Sequence, residues 1–208
     1  MQKEIILEIS GKKLEAFLSL PEKAKGIVLF VHGSGSSRFS PRNQYVAKIL
    51  ESAHFGTLLI DLLSKEEDEN PQNRFNIGLL ARRVLGIVGW IQKEKSLKGM
   101  SISLFGASTG AAAALIAAKE LPRAIKAVIS RGGRPDLAKE EVEKVYSPTL
   151  LIVGELDVEV ITLNEWALER LRGPKKLEIV SGATHLFEES GCLEQVAKLA
   201  VHWLEKYA

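Results

Sequence analysis

Apolar positions along the chain fall into two rhythms. Short, nearly unbroken apolar runs at Gly26 to Val31, Thr57 to Ile60, Ala127 to Ser130, Thr149 to Val153 and Leu177 to Val180 read as strands buried in a sheet. Elsewhere apolar residues recur every three or four positions. Val46, Ile49, Leu50 and Ala53 make one such stripe; Ile77, Leu80, Ala81, Val84, Val88 and Ile91 make a second; Val196, Ala197, Ala200, Trp203 and Leu204 make a third. That spacing lines one face of a helix.

Breakers and caps give the boundaries. Glu4 to Ile9 and Leu14 to Leu20, joined at Ser10, Gly11 and Lys12, predict an antiparallel hairpin closed by Pro21. Ser40 and Pro41 suit the N-cap and first residue of a helix that Gly56 ends. Ser64 to Arg74 is a polar, acid-rich connection, and Phe75 to Gln92 predicts a long helix despite Gly78, Gly86 and Gly89. Asp136 is expected to cap a brief helix reaching Tyr146. Thr162 and Glu165 form a capping-box pattern for a helix to about Leu171, and the closing helix spans Leu193 to Tyr207.

Strands alternating with helices across short turns predict a single α/β domain, residues 1–208, whose mostly parallel sheet is flanked by helices on both faces and has the hairpin at one edge. A chain of 208 residues, 46% hydrophobic and 26% charged, can bury such a core without metals or disulfides. The first residues mix charge into every apolar run and no run is long enough to cross a bilayer, so a cytoplasmic location is expected. A net charge of +2 spread along the chain gives no grip on nucleic acid or membrane. The lone Cys192 reads as a small buried hydrophobe, not a nucleophile.

Candidate chemistry centres on Ser101 to Leu115, SISLFGASTGAAAAL. A β-rich run ends at Gly106-Ala107-Ser108-Thr109-Gly110 and an alanine-rich helix follows, which is the GxSxG nucleophile-elbow pattern. In a parallel sheet the loops after the strands converge at one edge, bringing those beginning at His32, Asp61, Ser108, Arg131, Asp157 and Gly182 together. A serine there needs a base, an acid to orient it and donors for a developing oxyanion. Among the histidines, His185 alone follows the last strand in a loop of small residues. Asp157 is the favoured acid over Asp61, Glu155 and Asp136, because the order Ser108, Asp157, His185 then fits. Backbone amides of Thr109 and Ser34 are the candidate oxyanion donors.

These motifs resemble the α/β-hydrolase family, and within it the compact dienelactone hydrolase-like branch: His32-Gly33 after the third strand, Gly106 to Gly110 after the fifth, Asp157 after the seventh and His185 after the eighth. The resemblance implies an eight-stranded sheet with its second strand antiparallel, a serine esterase triad, no metal and no organic cofactor. Two departures qualify it. Dienelactone hydrolases proper carry cysteine where this chain has Ser108, and Arg131 to Pro148 is too short to hold a cap domain. An open site of this kind suits small carboxylic esters. Arg38, Arg131 and Phe187, with Arg42 and Arg134 nearby, are candidate substrate contacts, the arginines for a carboxylate. Rival readings are a lactone or thioester hydrolase, a non-catalytic protein that binds a small ligand in the same pocket, and a nucleotide-binding protein. The last is disfavoured because neither glycine-rich loop contains GxGxxG or GxxxxGK[ST].

Overall fold

The computed structural model describes residues 2–208, so the first residue of the expected span lies outside the described residues. Strand β1 (Gln2–Ile9) and β2 (Lys12–Ser19) form the hairpin, turning at Ser10 and Gly11 with φ of 52° and 73°. β3 (Gly26–Val31), β4 (Gly56–Ile60), β5 (Ser101–Ala107), β6 (Ile125–Arg131), β7 (Thr149–Gly154) and β8 (Lys175–Val180) complete an eight-stranded sheet ordered β1-β2-β4-β3-β5-β6-β7-β8. β2 runs antiparallel to both β1 and β4, and every pairing from β4 through β8 is parallel.

The pleat of the central strands sorts the core into two layers. Ile27, Leu29 and Val31 point to one face, where α3 (Ile77–Lys93), α4 (Thr109–Glu120) and α5 (Val158–Arg170) pack. Val28 and Phe30 point to the other, covered by α1 (Pro41–Ser52) and α6 (Cys192–Tyr207), with Phe30 against Phe105 at a centroid separation of 4.9 Å. Ala111 to Ala114 are wholly buried, which lets α4 lie close against the sheet and aims its N-terminus at the strand ends. Cys192 is buried at the start of α6. The link between β6 and β7 is short and contains no inserted cap.

Several boundaries differ from the sequence reading. α5 begins at Val158, four residues ahead of the Thr162–Glu165 pattern, and the Thr162 hydroxyl donates to the Val158 carbonyl inside the helix. Packing of Val160 and Asn164 against the core starts the helix earlier than its apparent cap. α3 starts at Ile77 with the Asn76 side chain as cap, leaving Phe75 in a 3-10 turn at Pro71–Phe75. The polar connection holds a short helix α2 (Lys65–Asp68), closed by a reciprocal Ser64–Glu67 capping box. Pro135–Lys144 is two 3-10 turns kinked at Lys139, and Asp136 does not cap it, because its carboxylate is held by Arg134 at 2.8 and 2.9 Å. Among the described residues, no helix is long and apolar enough to cross a membrane.

Candidate active site

Ser108 stands between β5 and α4 with φ 49° and ψ −122°, a backbone state that glycine adopts freely and other residues rarely do. Three hydrogen bonds hold it there. Its amide donates to Arg131 O at 3.2 Å, and its carbonyl accepts from Ala111 N at 3.1 Å and Arg134 N at 3.0 Å. Neighbouring glycines are set by close approach: a Cβ on Gly110 would strike the Val31 carbonyl, and one on Gly33 would sit 3.0 Å from Ser108 Cβ. The loop after β3 therefore lies directly against the serine. Strain of this type costs about 1–3 kcal/mol and persists where the surroundings over-determine the backbone.

His185 and Asp157 meet across the loops that follow β8 and β7. Nδ1 of His185 lies 2.6 Å from Oδ2 of Asp157. An ionised carboxylate only accepts, so Nδ1 is the donor and Nε2 is left to act. The two loops are fixed to each other by Leu156 N donating to Ala183 O at 3.0 Å, and Asp157 N closes a turn on Gly154 O at 3.0 Å. Asp157 sits where a helix N-cap would, yet its carboxylate caps nothing and is free for the imidazole. Asp157 is 16% exposed and His185 37%, which puts the imidazole at the rim of the site.

The expected oxyanion donors adjoin the serine but are not both unengaged. Ser34 N donates to Thr109 Oγ1 at 2.9 Å, so the Thr109 side chain occupies one of them. His32 joins this loop to the next one: Nδ1 donates to Gly33 O at 2.9 Å, and Nε2 accepts from Leu62 N at 3.1 Å. Burial pushes its pKa below the usual histidine range, a shift only partly offset by the Gly33 bond and by Asp61 and Asp68. Beside the loop a shallow cleft opens toward Asp61, Ser64, Lys65, Arg74 and Leu80; Ser108, Asp157 and His185 do not line it.

The three expected substrate contacts are placed differently. Arg38 is 7% exposed and committed to Asp61, to Glu15 at 2.6 Å and to Glu4 at 3.2 Å, an ion-pair cluster that ties the loop after β3 to the hairpin. Arg131 is also buried, pointing from the end of β6 toward α1 and not into the open cleft. Phe187 is 1% exposed, a core residue whose φ of 57° turns the His185 loop back into the protein. Arg42 is paired with Glu188 at 2.6 Å. Sequence reasoning missed Asn164, which is wholly buried and donates to Gly133 O at 3.0 Å. A polar residue on the stripe of Val160 and Ala167 was the available signal.

No protein-family model matches the chain. The solved structure of a dienelactone hydrolase from Anabaena variabilis is 49% identical, with a TM-score of 0.97 over 100% of this chain and 98% of that one. The chain belongs to the dienelactone hydrolase-like α/β-hydrolases. An esterase domain from Rhodothermus marinus, 19% identical, shares the hydrolase fold with a TM-score of 0.81 over 100% of this chain and 99% of its own. A Mycobacterium tuberculosis (strain H37Rv) protein, provisionally named a phosphoribosyl transferase, is 53% identical over 186 residues. That match takes in 89% of this chain, and the chain spans 42% of the length of this curated relative. A hydrolase of the dienelactone hydrolase-like type is the reading these likenesses support.

Proposed function

We propose that the chain acts as one hydrolase domain that cleaves small carboxylic esters through an acyl-enzyme. The observation that carries this reading is the 2.6 Å pairing of His185 Nδ1 with Asp157, together with a serine held at φ 49° on the turn after β5. His185 Nε2 takes the Ser108 proton as Oγ attacks the ester carbonyl, and Asp157 stabilises the imidazolium. The Thr109 amide, at the N-terminus of α4, receives the oxyanion. The Ser34 amide joins it once the Thr109 hydroxyl yields its place. The protonated histidine then passes its proton to the departing alcohol, and the same nitrogen activates the water that releases the acid.

The short β6–β7 link leaves the serine edge of the sheet without a cap, which suits a small water-soluble ester better than a long acyl chain. Lactones and thioesters present the same carbonyl and fall within the reading. The phosphoribosyl transferase name of the longer relatives belongs, on this account, to the part of them that this chain does not match. The test is turnover of p-nitrophenyl acetate by the wild type and by Asp157→Asn, which preserves shape and removes charge. A fall in kcat of about 10³–10⁴ is expected, and equal turnover would refute the assignment.

A further inference from the structure

Arg38, Arg83 and Arg131 are the buried arginines among the described residues. Arg38 meets the carboxylates of Asp61, Glu15 and Glu4, and Arg83 meets that of Glu67. Arg131 meets none. Its Nη2 makes a long 3.4 Å contact with Asn43 Oδ1, and its Nε and Nη1 are buried without a protein partner. The face of Phe187 lies 6.0 Å from the guanidinium, too weak an interaction to balance a full charge. Arg42 makes the imbalance worse, because it brings a second positive charge close by. One of its nitrogens is on Glu188, yet its Nε is also buried and unpartnered.

Asn43 lies in the first turn of α1, whose N-terminal end carries the positive pole of the helix dipole. Burial, and after it the charge of Arg42, lowers the Arg131 pKa to about 10, which leaves the group charged at neutral pH. An ionised guanidinium withdrawn from water without a counter-charge is strongly destabilising. Water can accept its N–H bonds but brings no charge. The neighbourhood therefore has donors and positive charge in excess of any acceptor the chain supplies.

We propose that Arg131 and Arg42, with the first turn of α1, bind a small inorganic anion of the size and charge of chloride. The size follows from enclosure: Arg131 is 7% exposed and Phe187 1%, so an organic carboxylate would have to displace the core to reach it. The anion lies against the segment that follows His185, since the Phe187 ring faces Arg131 at 6.0 Å and Glu188 pairs with Arg42. Occupancy relieves the repulsion between the arginines and fastens that segment to α1 and β6.

The test starts from protein exchanged into sodium gluconate, an anion too bulky for the site, and titrated with sodium chloride at constant ionic strength. The melting temperature should rise saturably by roughly 5 °C, as ligand binding to the native state alone requires. The ³⁵Cl resonance should broaden in the presence of protein and sharpen when bromide is added. Arg131→Met should abolish both responses. Should that variant not fold, Arg42→Met, at a partly exposed position, should weaken chloride binding at least tenfold. Melting temperatures that ignore the exchange of gluconate for chloride, or a chloride affinity from ³⁵Cl broadening that is undiminished in Arg42→Met, would overturn the proposal. So would a saturable response to phosphate and none to chloride. None of these readouts involves ester turnover, so this proposal and the esterase reading fail separately.

Discussion

Asn164, wholly buried in α5, donates its amide Nδ2 to the carbonyl of Gly133 at 3.0 Å, and the next residue, Arg134, donates its backbone amide to the carbonyl of Ser108 at 3.0 Å. The helix that starts after Asp157 is thereby fastened to the turn that carries the serine. Asn164→Leu keeps the volume and removes the donor from Gly133. It should cost about 2 kcal/mol in urea denaturation and lower kcat on a short ester about tenfold with KM unchanged. A destabilised variant with full kcat would limit Asn164 to a packing role.

Backbone strain at Ser108 predicts opposite behaviour of two replacements. Ser108→Gly relieves the φ 49° conformation at a cost of about 0.4–1 kcal/mol in unfolded-chain entropy, against about 1–3 kcal/mol of strain. Its melting temperature should exceed the wild type by about 2–4 °C. Ser108→Ala keeps the Cβ and should melt close to the wild type. Equal melting of the two variants would mean that the elbow stores no strain.

His32 should make stability fall with acid. Its pKa is lowered in the folded state, so the unfolded chain binds the extra proton first. The contribution is complete above the ordinary histidine range, near pH 6.5, and is lost as pH falls from there toward the folded-state value. Protonation also removes the acceptor for Leu62 N and loosens the loop at Gly33. His32→Gln, which has no titrating group, should show a flatter dependence of melting temperature on pH between about 7 and 5. Parallel profiles would exclude His32 as the source.

Arg83 is buried and pairs with the part-buried Glu67 of α2. Arg83 Nη2 meets Glu67 at 2.6 and 2.8 Å while Nη1 donates to Ile9 O, and Glu67 also accepts from Ser64 N. Glu67→Ala leaves Arg83, 4% exposed, without its counter-charge and should cost about 3 kcal/mol. Arg74→Ala breaks the more exposed pair with Asp68 and should barely move the melting temperature. Similar losses in both variants would contradict the distinction.

Residues that repeat along the chain were legible in the sequence; those that meet across it were less so. The parallel order of the sheet follows from alternating buried runs and helical stripes, and GxSxG locates the turn at Ser108 because only small residues fit there. The start of α5 was misread because Thr162 and Glu165 imitate a cap, whereas tertiary packing of Val160 and Asn164 set the boundary. The arginines were misjudged for a related reason. A loop position beside a strand end looks open in sequence, but Arg38 meets carboxylates from the hairpin and from the loop after β4, and Arg131 turns under α1. Nor does any local pattern disclose that Ser34 N is engaged by the Thr109 hydroxyl, 75 residues away.

An activated nucleophile at Ser108 is tested by incubating the folded protein with a fluorophosphonate and mapping the labelled peptide. One covalent adduct is expected, on Ser108, abolished by Ser108→Ala and formed more slowly in Asp157→Asn. A folded protein left unmodified, or an adduct on another residue with Ser108 free, would contradict it.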